Sequence, residues 1–300
     1  MLTRRTAIAS IAAAAARPRT LFASTSADLN QSINLNQSLR ALEEKSKGRL
    51  GVSILIPSRK GSSSPQRFQL HGDDRFPMCS TFKFLAVSLV LKRVDEGKEN
   101  LDRAISYAKV DLVTYSPETE KHAGGSMTIA ELSKAALTLS DNTAANLLLA
   151  SFGGPPVVTA FARSIGDGVT RLDRNETSLN EGTPGDPRDT TTPNAMLGNI
   201  EKILFGSILK PASRQQLTGW MLANTTGNAK FRAGLPTGWK VADKTGSGDH
   251  GSNNDIGVLW APAGKPILVT SYLTETTIST DACNAVHADV ARIIAAYYQP

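Results

Sequence analysis

Strand-like segments near both ends of this chain enclose a long stretch in which helical patterns dominate. Apolar runs bounded by turn residues are typical of strands, and they occur at 50–56, 67–71, 238–244, 254–260 and 266–273. Between the second and third runs, apolar residues recur mostly at helical spacing. The first and last strands can share one sheet if the middle of the chain is an insertion. The pattern predicts an α/β fold, with a split α/β domain, an inserted helical domain and a functional cleft between them.

The first residues, 1–27, have the pattern of an export signal. Arg4 and Arg5 precede a weakly apolar, alanine-rich stretch, which is followed by small residues where a signal peptidase could cut. The arginine pair is typical of the twin-arginine route, and a Sec signal with a chance arginine pair fits about equally well. We therefore expect an exported, periplasmic protein.

The net charge of +6 comes mostly from this leader. Residues 1–27 hold four arginines and no acidic residue, so the basic count falls from 33 to 29 against 27 acidic residues, a net charge of +2. A nearly neutral body gives no electrostatic reason to expect nucleic acid. No stretch approaches the roughly 20 apolar residues of a membrane span. We expect a monomer.

The cysteines and histidines do not indicate a metal site. One cysteine pair, Cys79 and Cys283, is no disulfide framework even in an oxidising compartment, and we expect two buried free thiols. The four histidines are scattered without a His-x-His cluster, which argues against a zinc hydrolase. We expect neither a metal nor a cofactor.

Ser80-Thr-Phe-Lys83 opens the first strongly helical segment. Serine and lysine three residues apart share a helix face, and the positive end of a helix favours a developing alkoxide. A lysine with a lowered pKa can accept the serine proton. The signal is weak alone, because Ser207-Ile-Leu-Lys210 has the same pattern; we interpret that copy as chance, on an ordinary helix.

Two further short motifs follow. Ser140-Asp-Asn142 lies between helical segments and by itself is most simply a helix N-cap, although its hydroxyl could protonate a leaving nitrogen and its amide could hold a carbonyl. Lys244-Thr245-Gly246 ends a strand-like run, so its first and third residues share one face. A glycine there lets a ligand approach the backbone.

The order of the three motifs resembles that of the penicillin-recognising serine enzymes, and nearly all of the mature chain resembles the class A β-lactamases. The copy at Ser207 fails because it follows the Ser-Asp-Asn motif. The resemblance implies β-lactam substrates and an antiparallel five-stranded sheet flanked by helices. It divides the chain into a sheet domain, 28–78 and 222–300, and an all-helical domain, 79–221.

A long polar loop, 170–189, decides the reaction. Glu176 and Asn180 lie four residues apart and could hold one water, and the resemblance implies that Glu176 is the base for deacylation. Two alternatives share the other motifs: a DD-peptidase, which this acid disfavours, and a β-lactam sensor, which would need a membrane segment or a fused transducer. Arg174 and Asp189 resemble the pair that closes this omega loop.

The remaining roles follow from the resemblance. Lys83, or Glu176 through a water, takes the proton of Ser80, and Ser140 and Lys244 assist the leaving nitrogen. The N–H groups of Ser80 and Ser247 form the oxyanion hole. Substrate contacts are expected from residues around the cleft: Tyr115, Asn142, Asn180, Thr245, Gly246, Ser247 and Lys230. Lys230 would replace an arginine with a point charge, whereas Arg232 would pack structurally.

Local sequence is most similar to the cefotaxime-hydrolysing branch, which implies oxyimino-cephalosporin substrates. Carbapenemases of this class often pair the cysteine at the position of Cys79 with a second one, and here that position is Gly248, so carbapenem turnover stays open. Thr177 departs from the proline that many relatives carry after the catalytic acid. A cis bond there would be a non-proline one.

Overall fold

Strands from both ends of the chain meet in one sheet, and most helices lie in the segment between them. The computed structural model describes residues 26–58 and 64–298. Its helices are α1 Ser26–Ser46, α2 Phe82–Asp95, α3 Ile129–Thr138, α4 Asn142–Phe152, α5 Pro155–Ser164, α6 Pro193–Ile200, α7 Pro211–Leu222, α8 Phe231–Gly234 and α9 Thr280–Tyr297. Its strands are β1 Arg49–Ile56, β2 Gln66–Leu70, β3 Phe76–Pro77, β4 Ala104–Ser106, β5 Ser126–Thr128, β6 Thr190–Thr191, β7 Lys240–Ser247, β8 Asn253–Trp260 and β9 Ile267–Thr274.

The main sheet has five antiparallel strands in the order β2-β1-β9-β8-β7. This confirms the predicted α/β fold and the pairing of early with late strands. The central strands are buried almost continuously because helices cover both faces. One face packs against α1 and α9, and the other faces the helical part of the molecule.

The segment 79–221 is not all-helical, and the prediction was wrong in this detail. Strands β4 and β5 form a two-stranded sheet within it, and β6 pairs with β3. These strands of two or three residues are too short to show an alternating pattern, and they pair the backbone groups of crossing loops. A capping box begins α3, where Thr128 Oγ1 accepts from the N–H of Glu131 at 3.2 Å.

The second Ser-x-x-Lys copy, Ser207 to Lys210, does not lie on a helix, so the expected helix at this position was wrong. It lies in an irregular segment between the π-helical turn Glu201–Phe205 and α7. Pro211 begins α7, and a proline disfavours helical backbone at the residue before it. Lys210 is accordingly extended, with φ −65° and ψ 157°.

Several other predictions concern the ends and the thiols. The predicted leader lies outside the described residues except for its last two, which begin α1. Cys79 and Cys283 are buried and free, as expected. Among the described residues, no single helix is long and apolar enough to cross a membrane. The bent pair of α4 and α5 is long and apolar enough when the two helices are taken together, by length and composition only.

Candidate active site

A short 3₁₀ turn, Cys79–Thr81, positions Ser80 at the start of α2. Cys79 has a φ of +44°, so the chain changes direction sharply just before the serine. Thr81 fixes the turn, because its N–H and its hydroxyl donate to the carbonyl of Met78 at 3.1 and 2.7 Å. The serine hydroxyl therefore lies at the positive end of a buried helix.

Lys83 places its ammonium nitrogen in the centre of the site. Nζ lies within hydrogen-bond distance of five oxygens: Ser80 Oγ at 2.9 Å, Ser140 O at 2.8 Å, Ser140 Oγ at 3.4 Å, Asn142 Oδ1 at 2.6 Å and Glu176 Oε1 at 2.9 Å. Burial lowers the pKa of Lys83, and the charge of Glu176 opposes that effect. A lysine with a lowered pKa can accept a proton from the serine beside it.

Glu176 reaches the nucleophile from the polar loop. Its Oε1 accepts from Ser80 Oγ at 3.1 Å, and its Oε2 accepts from Asn180 Nδ2 at 2.6 Å. The carboxylate is thus held between the serine and the amide, with each oxygen directed to a different partner. The peptide bond from Glu176 to Thr177 is cis, at the position where the sequence lacks the proline of many relatives.

Asn146 fixes the backbone of Glu176, and sequence reasoning missed it. Its Oδ1 accepts from the N–H of Glu176 at 2.9 Å, and its Nδ2 donates to the carbonyl of Glu176 at 2.9 Å. Asn146 lies one helical turn after Asn142 on α4. A second amide on the same face of an otherwise apolar helix was the available signal.

The neck of the loop is closed by a reciprocal set of contacts. Arg174 Nε donates to Asp189 Oδ2 at 2.6 Å, and Asp189 Oδ1 accepts from the N–H groups of Asp173 and Arg174 at 2.7 and 3.0 Å. In return, the N–H of Asp189 donates to Asp173 Oδ2 at 3.0 Å. Arg174 also contacts Glu181. The predicted partners, Arg174 and Asp189, are therefore in contact and largely buried.

Ser140 lies between two lysines. Its Oγ accepts from Lys244 Nζ at 3.0 Å and lies 3.4 Å from Lys83 Nζ. The following Asp141 caps α4 by accepting from the N–H of Ala144 at 2.8 Å. Because both lysines converge on one hydroxyl, this serine can relay a proton.

Lys244 approaches from β7 and is fully buried. Burial lowers its pKa well below the usual value, and the nearby charge of Lys83 lowers it further. Its Nζ also donates to the carbonyl of Thr245 at 2.8 Å. The strand continues to Ser247, three residues past the predicted end.

Strand β7 packs directly against the turn that carries the nucleophile. A Cβ at Gly246 would lie 2.8 Å from the carbonyl oxygen of Met78, so only glycine allows this approach. Asn254 on β8 holds the same turn, because its Nδ2 donates to the carbonyls of Pro77 and Met78 at 2.9 and 3.1 Å. Sequence reasoning did not identify Asn254.

The remaining predicted residues lie at different depths. Tyr115 is 56% exposed, and its carbonyl accepts from the N–H of Asn142 at 3.0 Å. Lys230 is buried, with its Nζ donating to the carbonyls of Asn254 and Gly246 at 2.8 and 3.4 Å. Burial lowers the pKa of Lys230 to about 8. The Lys230 amine thus lies against the backbone of β7 and β8.

Arg232 and Cys79 lie close to the site, and the sequence predicted a structural role for the first and a free thiol for the second. Arg232 forms an ion pair with the buried Asp243 at 2.5 Å, in agreement with a packing role. Cys79 Sγ faces Gly248, where a Cβ would lie 2.8 Å from the sulfur. Burial raises the pKa of the Cys79 thiol to about 12, so it stays protonated and unreactive at neutral pH. Among the described residues, no group of three or more His, Cys, Asp or Glu could hold a metal ion.

Comparisons with known proteins agree with this geometry. A model of the "Beta-lactamase enzyme family" matches residues 34–298. The chain is 47% identical to β-lactamase CTX-M-8 of Citrobacter amalonaticus over 88% of this chain and 89% of that protein. It is 46% identical to β-lactamase Toho-1 of Escherichia coli over the same shares. A solved ancestral class A β-lactamase superposes with a TM-score of 0.85 at 57% identity, covering 88% of this chain and all of that one.

The arrangement brings together a nucleophile, two proton acceptors and a proton donor, which acyl transfer through a serine requires. A nucleophile lies between two proton acceptors, and a second serine can deliver a proton to a leaving group. A carboxylate and an amide adjoin the nucleophile on the side of the polar loop. The chain belongs to the β-lactamase enzyme family, and its motifs and relatives identify it as a class A serine β-lactamase of the branch that contains the CTX-M enzymes.

Proposed function

We propose that this enzyme opens the β-lactam ring of penicillins and cephalosporins through an ester on Ser80, which a water activated by Glu176 then hydrolyses. The contact that carries the proposal joins Glu176 Oε1 to Ser80 Oγ at 3.1 Å. An enzyme that only needs to be acylated has no use for a carboxylate at the nucleophile. An enzyme that must release its product needs such a carboxylate to activate the attacking water.

Acylation begins when the Ser80 hydroxyl loses its proton, either to the neutral amine of Lys83 or to Glu176 through a water. The serine oxygen attacks the ring carbonyl carbon, and the resulting oxyanion accepts from the N–H groups of Ser80 and Ser247. The carbon–nitrogen bond then breaks. The ring nitrogen receives a proton from Ser140, whose hydroxyl lies 3.0 Å from Lys244 Nζ. Ser140 regains the proton that left Ser80 through Lys83, whose Nζ lies 3.4 Å from Ser140 Oγ.

Deacylation uses the polar loop. A water held between the carboxylate of Glu176 and the amide of Asn180 gives up a proton to Glu176 and attacks the ester carbonyl. The oxyanion again accepts hydrogen bonds from the N–H groups of Ser80 and Ser247, and the Ser80 oxygen leaves with the proton that Glu176 took from the water. Asn146 supports this step as a positioning residue, because it fixes both backbone polar groups of Glu176.

Substrate binding depends on the charge at β7. We assign the substrate carboxylate to Lys244, Thr245 and Ser247, beside Gly246. The side-chain amide of Asn142 orients the acylamino group of the substrate, and Tyr115 borders the mouth of the cleft. Lys230 contributes a positive charge from behind the strand. Because its amine donates to backbone carbonyls, Lys230 attracts the substrate carboxylate electrostatically, without a direct contact.

The substrate range includes oxyimino-cephalosporins. Support comes from the relatives named CTX-M-8 and Toho-1 and from the local sequence around the site. We also propose that residues 1–27 direct export to the periplasm and that the mature enzyme acts as a monomer. Its split sheet domain, 28–78 and 222–300, and its largely helical domain, 79–221, would then form the two walls of the cleft.

The test is mass spectrometry of the mature enzyme mixed with a penicillin and followed over time. We expect wild type to return to its free mass while substrate disappears, and Glu176→Gln to accumulate an adduct on Ser80. Ser80→Ala is the matched control and forms no adduct. A wild type that stays acylated would support the sensor or penicillin-target alternative.

A further inference from the structure

Asn224, in the turn that precedes α8, has an amide orientation that its neighbours determine. The backbone N–H of Thr226 lies 3.0 Å from Asn224 Oδ1, and a backbone N–H can only donate. The amide oxygen therefore faces Thr226, and the amide nitrogen donates to Asp243 Oδ2 at 3.0 Å. Asn224 and Asp243 are both buried, so this orientation is fixed away from solvent.

The same assignment gives a direction to the next two hydrogen bonds. Thr226 Oγ1 lies 2.8 Å from Asn224 Oδ1, which only accepts, so the Thr226 hydroxyl donates there. Thr226 Oγ1 also lies 2.5 Å from Thr245 Oγ1. A hydroxyl has one hydrogen, so Thr245 must be the donor in this second contact.

The turn that carries Thr226 is held by both parts of the molecule. On one side, the N–H of Thr225 donates to the carbonyl of Thr138 on α3 at 3.0 Å. On the other side, a Cβ at Gly227 would lie 1.8 Å from Asp243 Oδ2, so glycine is required for this approach. The Thr226 hydroxyl is therefore fixed relative to Thr245.

These directions have a consequence for ligand binding. In the free enzyme the hydrogen of the Thr245 hydroxyl faces Thr226, and only lone pairs remain for the cleft. A carboxylate only accepts hydrogen bonds, so Thr245 must turn its hydrogen towards a bound carboxylate. The Thr226 hydroxyl must then leave Asn224 and donate to Thr245. Binding therefore costs the hydrogen bond between Thr226 and Asn224.

We propose that Thr226 is a specificity-determining residue that weakens the binding of the substrate carboxylate, because it holds the Thr245 hydrogen away from the cleft. This inference rests on the proposed contact between Thr245 and that carboxylate. Substrates without the negative charge depend less on this donor, so Thr226 tunes selectivity between anionic and neutral β-lactams.

The experiment measures equilibrium binding in a Ser80→Ala background, which cannot be acylated. The two ligands are a cephalosporin with a free C4 carboxylate and its methyl ester. We expect Thr226→Val to bind the acid about fivefold more tightly, the worth of one neutral hydrogen bond, and to leave ester binding unchanged. Thr226→Ser keeps the hydroxyl and should keep the acid-to-ester ratio of the parent, and Thr226→Ala is a second removal of the hydroxyl.

A further variant, Thr245→Val, separates the two ways of failing. If it does not weaken acid binding relative to the ester, then Thr245 does not contact the carboxylate and that part of the proposed function is wrong. If it does weaken acid binding, while Thr226→Val and Thr226→Ala leave the acid-to-ester ratio unchanged or lower it, the contact stands and the role of Thr226 is refuted.

Discussion

Lys83 Nζ lies 2.9 Å from Glu176 Oε1, and neither side chain is exposed to solvent. The carboxylate favours the charged ammonium, whereas burial favours the neutral amine. Burial has the larger effect, so the pKa of Lys83 is lowered. The carboxylate of Glu176 therefore influences the protonation of Lys83, the amine that could activate Ser80.

Glu176→Gln should move the pH dependence of acylation to lower pH. Removing the carboxylate removes the charge that raises the pKa of Lys83, so the amine becomes neutral at lower pH. Because this variant retains the ester, acylation can be followed by stopped-flow mixing with a chromogenic cephalosporin across pH. If acylation falls by about 10²-fold or more at every pH, the typical worth of a general base, Glu176 and not Lys83 is that base.

Asn146→Leu should slow deacylation more than acylation. The substitution keeps the approximate size of the side chain but removes both hydrogen bonds to the backbone of Glu176. With each bond worth about 1 kcal/mol, we expect deacylation to fall by at least about tenfold. A pre-steady-state burst that is absent in wild type would report it. Equal slowing of both steps would indicate a general loss of structure.

The residues with chemical roles were predictable because short motifs carry them. Ser80, Lys83, Ser140 and Lys244 were found from short motifs whose order resembles that of the penicillin-recognising serine enzymes, and the structure brings them within a few ångströms of one another. Asn224 and Asn254 were not found, because a lone asparagine has no motif and its partners are distant in sequence, and the one signal for Asn146, its place on the same helix face as Asn142, was missed. Their roles depend on which backbone groups the fold leaves nearby.

Irregular backbone was harder to predict for a related reason. The Ser207 copy was expected on an ordinary helix, but Pro211 disfavours helical backbone at the residue before it, and Lys210 is extended. Strands β4 and β5 have three residues each, too few to show a period. Their pairing is a tertiary contact that no local pattern encodes.

Asp189→Asn should destabilise the fold and loosen the omega loop. Asp189 is almost fully buried and accepts from Arg174 Nε and from two backbone N–H groups. Removing its charge leaves the largely buried Arg174 guanidinium with Glu181 as its remaining acidic partner, and we expect a loss of about 2 kcal/mol. Urea unfolding measures the loss. Asp186→Asn in the exposed pair with Arg188 is the matched control and should have a much smaller effect.

His287 should make the enzyme sensitive to mild acid. Its Nε2 lies 2.9 Å from the carbonyl of Asn253, and its Nδ1 lies 2.8 Å from Ser271 Oγ. Burial lowers the pKa of His287 well below its ordinary value of 6.5. Below that pH the unfolded chain binds a proton that the folded protein does not, so stability falls as pH falls, by about 1.4 kcal/mol per pH unit.

The matching variant is His287→Gln, which cannot titrate. We expect its free energy of unfolding, measured in urea between pH 7.5 and pH 5, to decline less steeply than that of wild type as the pH is lowered. Parallel curves for the two proteins would show that His287 is protonated in the folded state as readily as in the unfolded chain.

Lys230 should produce a second pH effect, at the basic end. Its pKa is lowered to about 8, so its charge is lost as the pH rises through that value. If this charge attracts the substrate carboxylate, KM for anionic cephalosporins should rise above about pH 8. Lys230→Met should have a raised KM without this rise. An unchanged profile in the variant would exclude Lys230 from substrate binding.

The hydrogen bonds from Asn254 to the carbonyls of Pro77 and Met78 also determine at which stage of synthesis and folding the enzyme becomes active. The nucleophile turn is synthesised early, but the strands that brace it and supply Lys244 are among the last parts of the chain to be made. A growing or truncated chain that lacks these strands therefore cannot hydrolyse β-lactams, however well its helices have formed. Recovery of hydrolysis during refolding should consequently time the docking of the C-terminal strands.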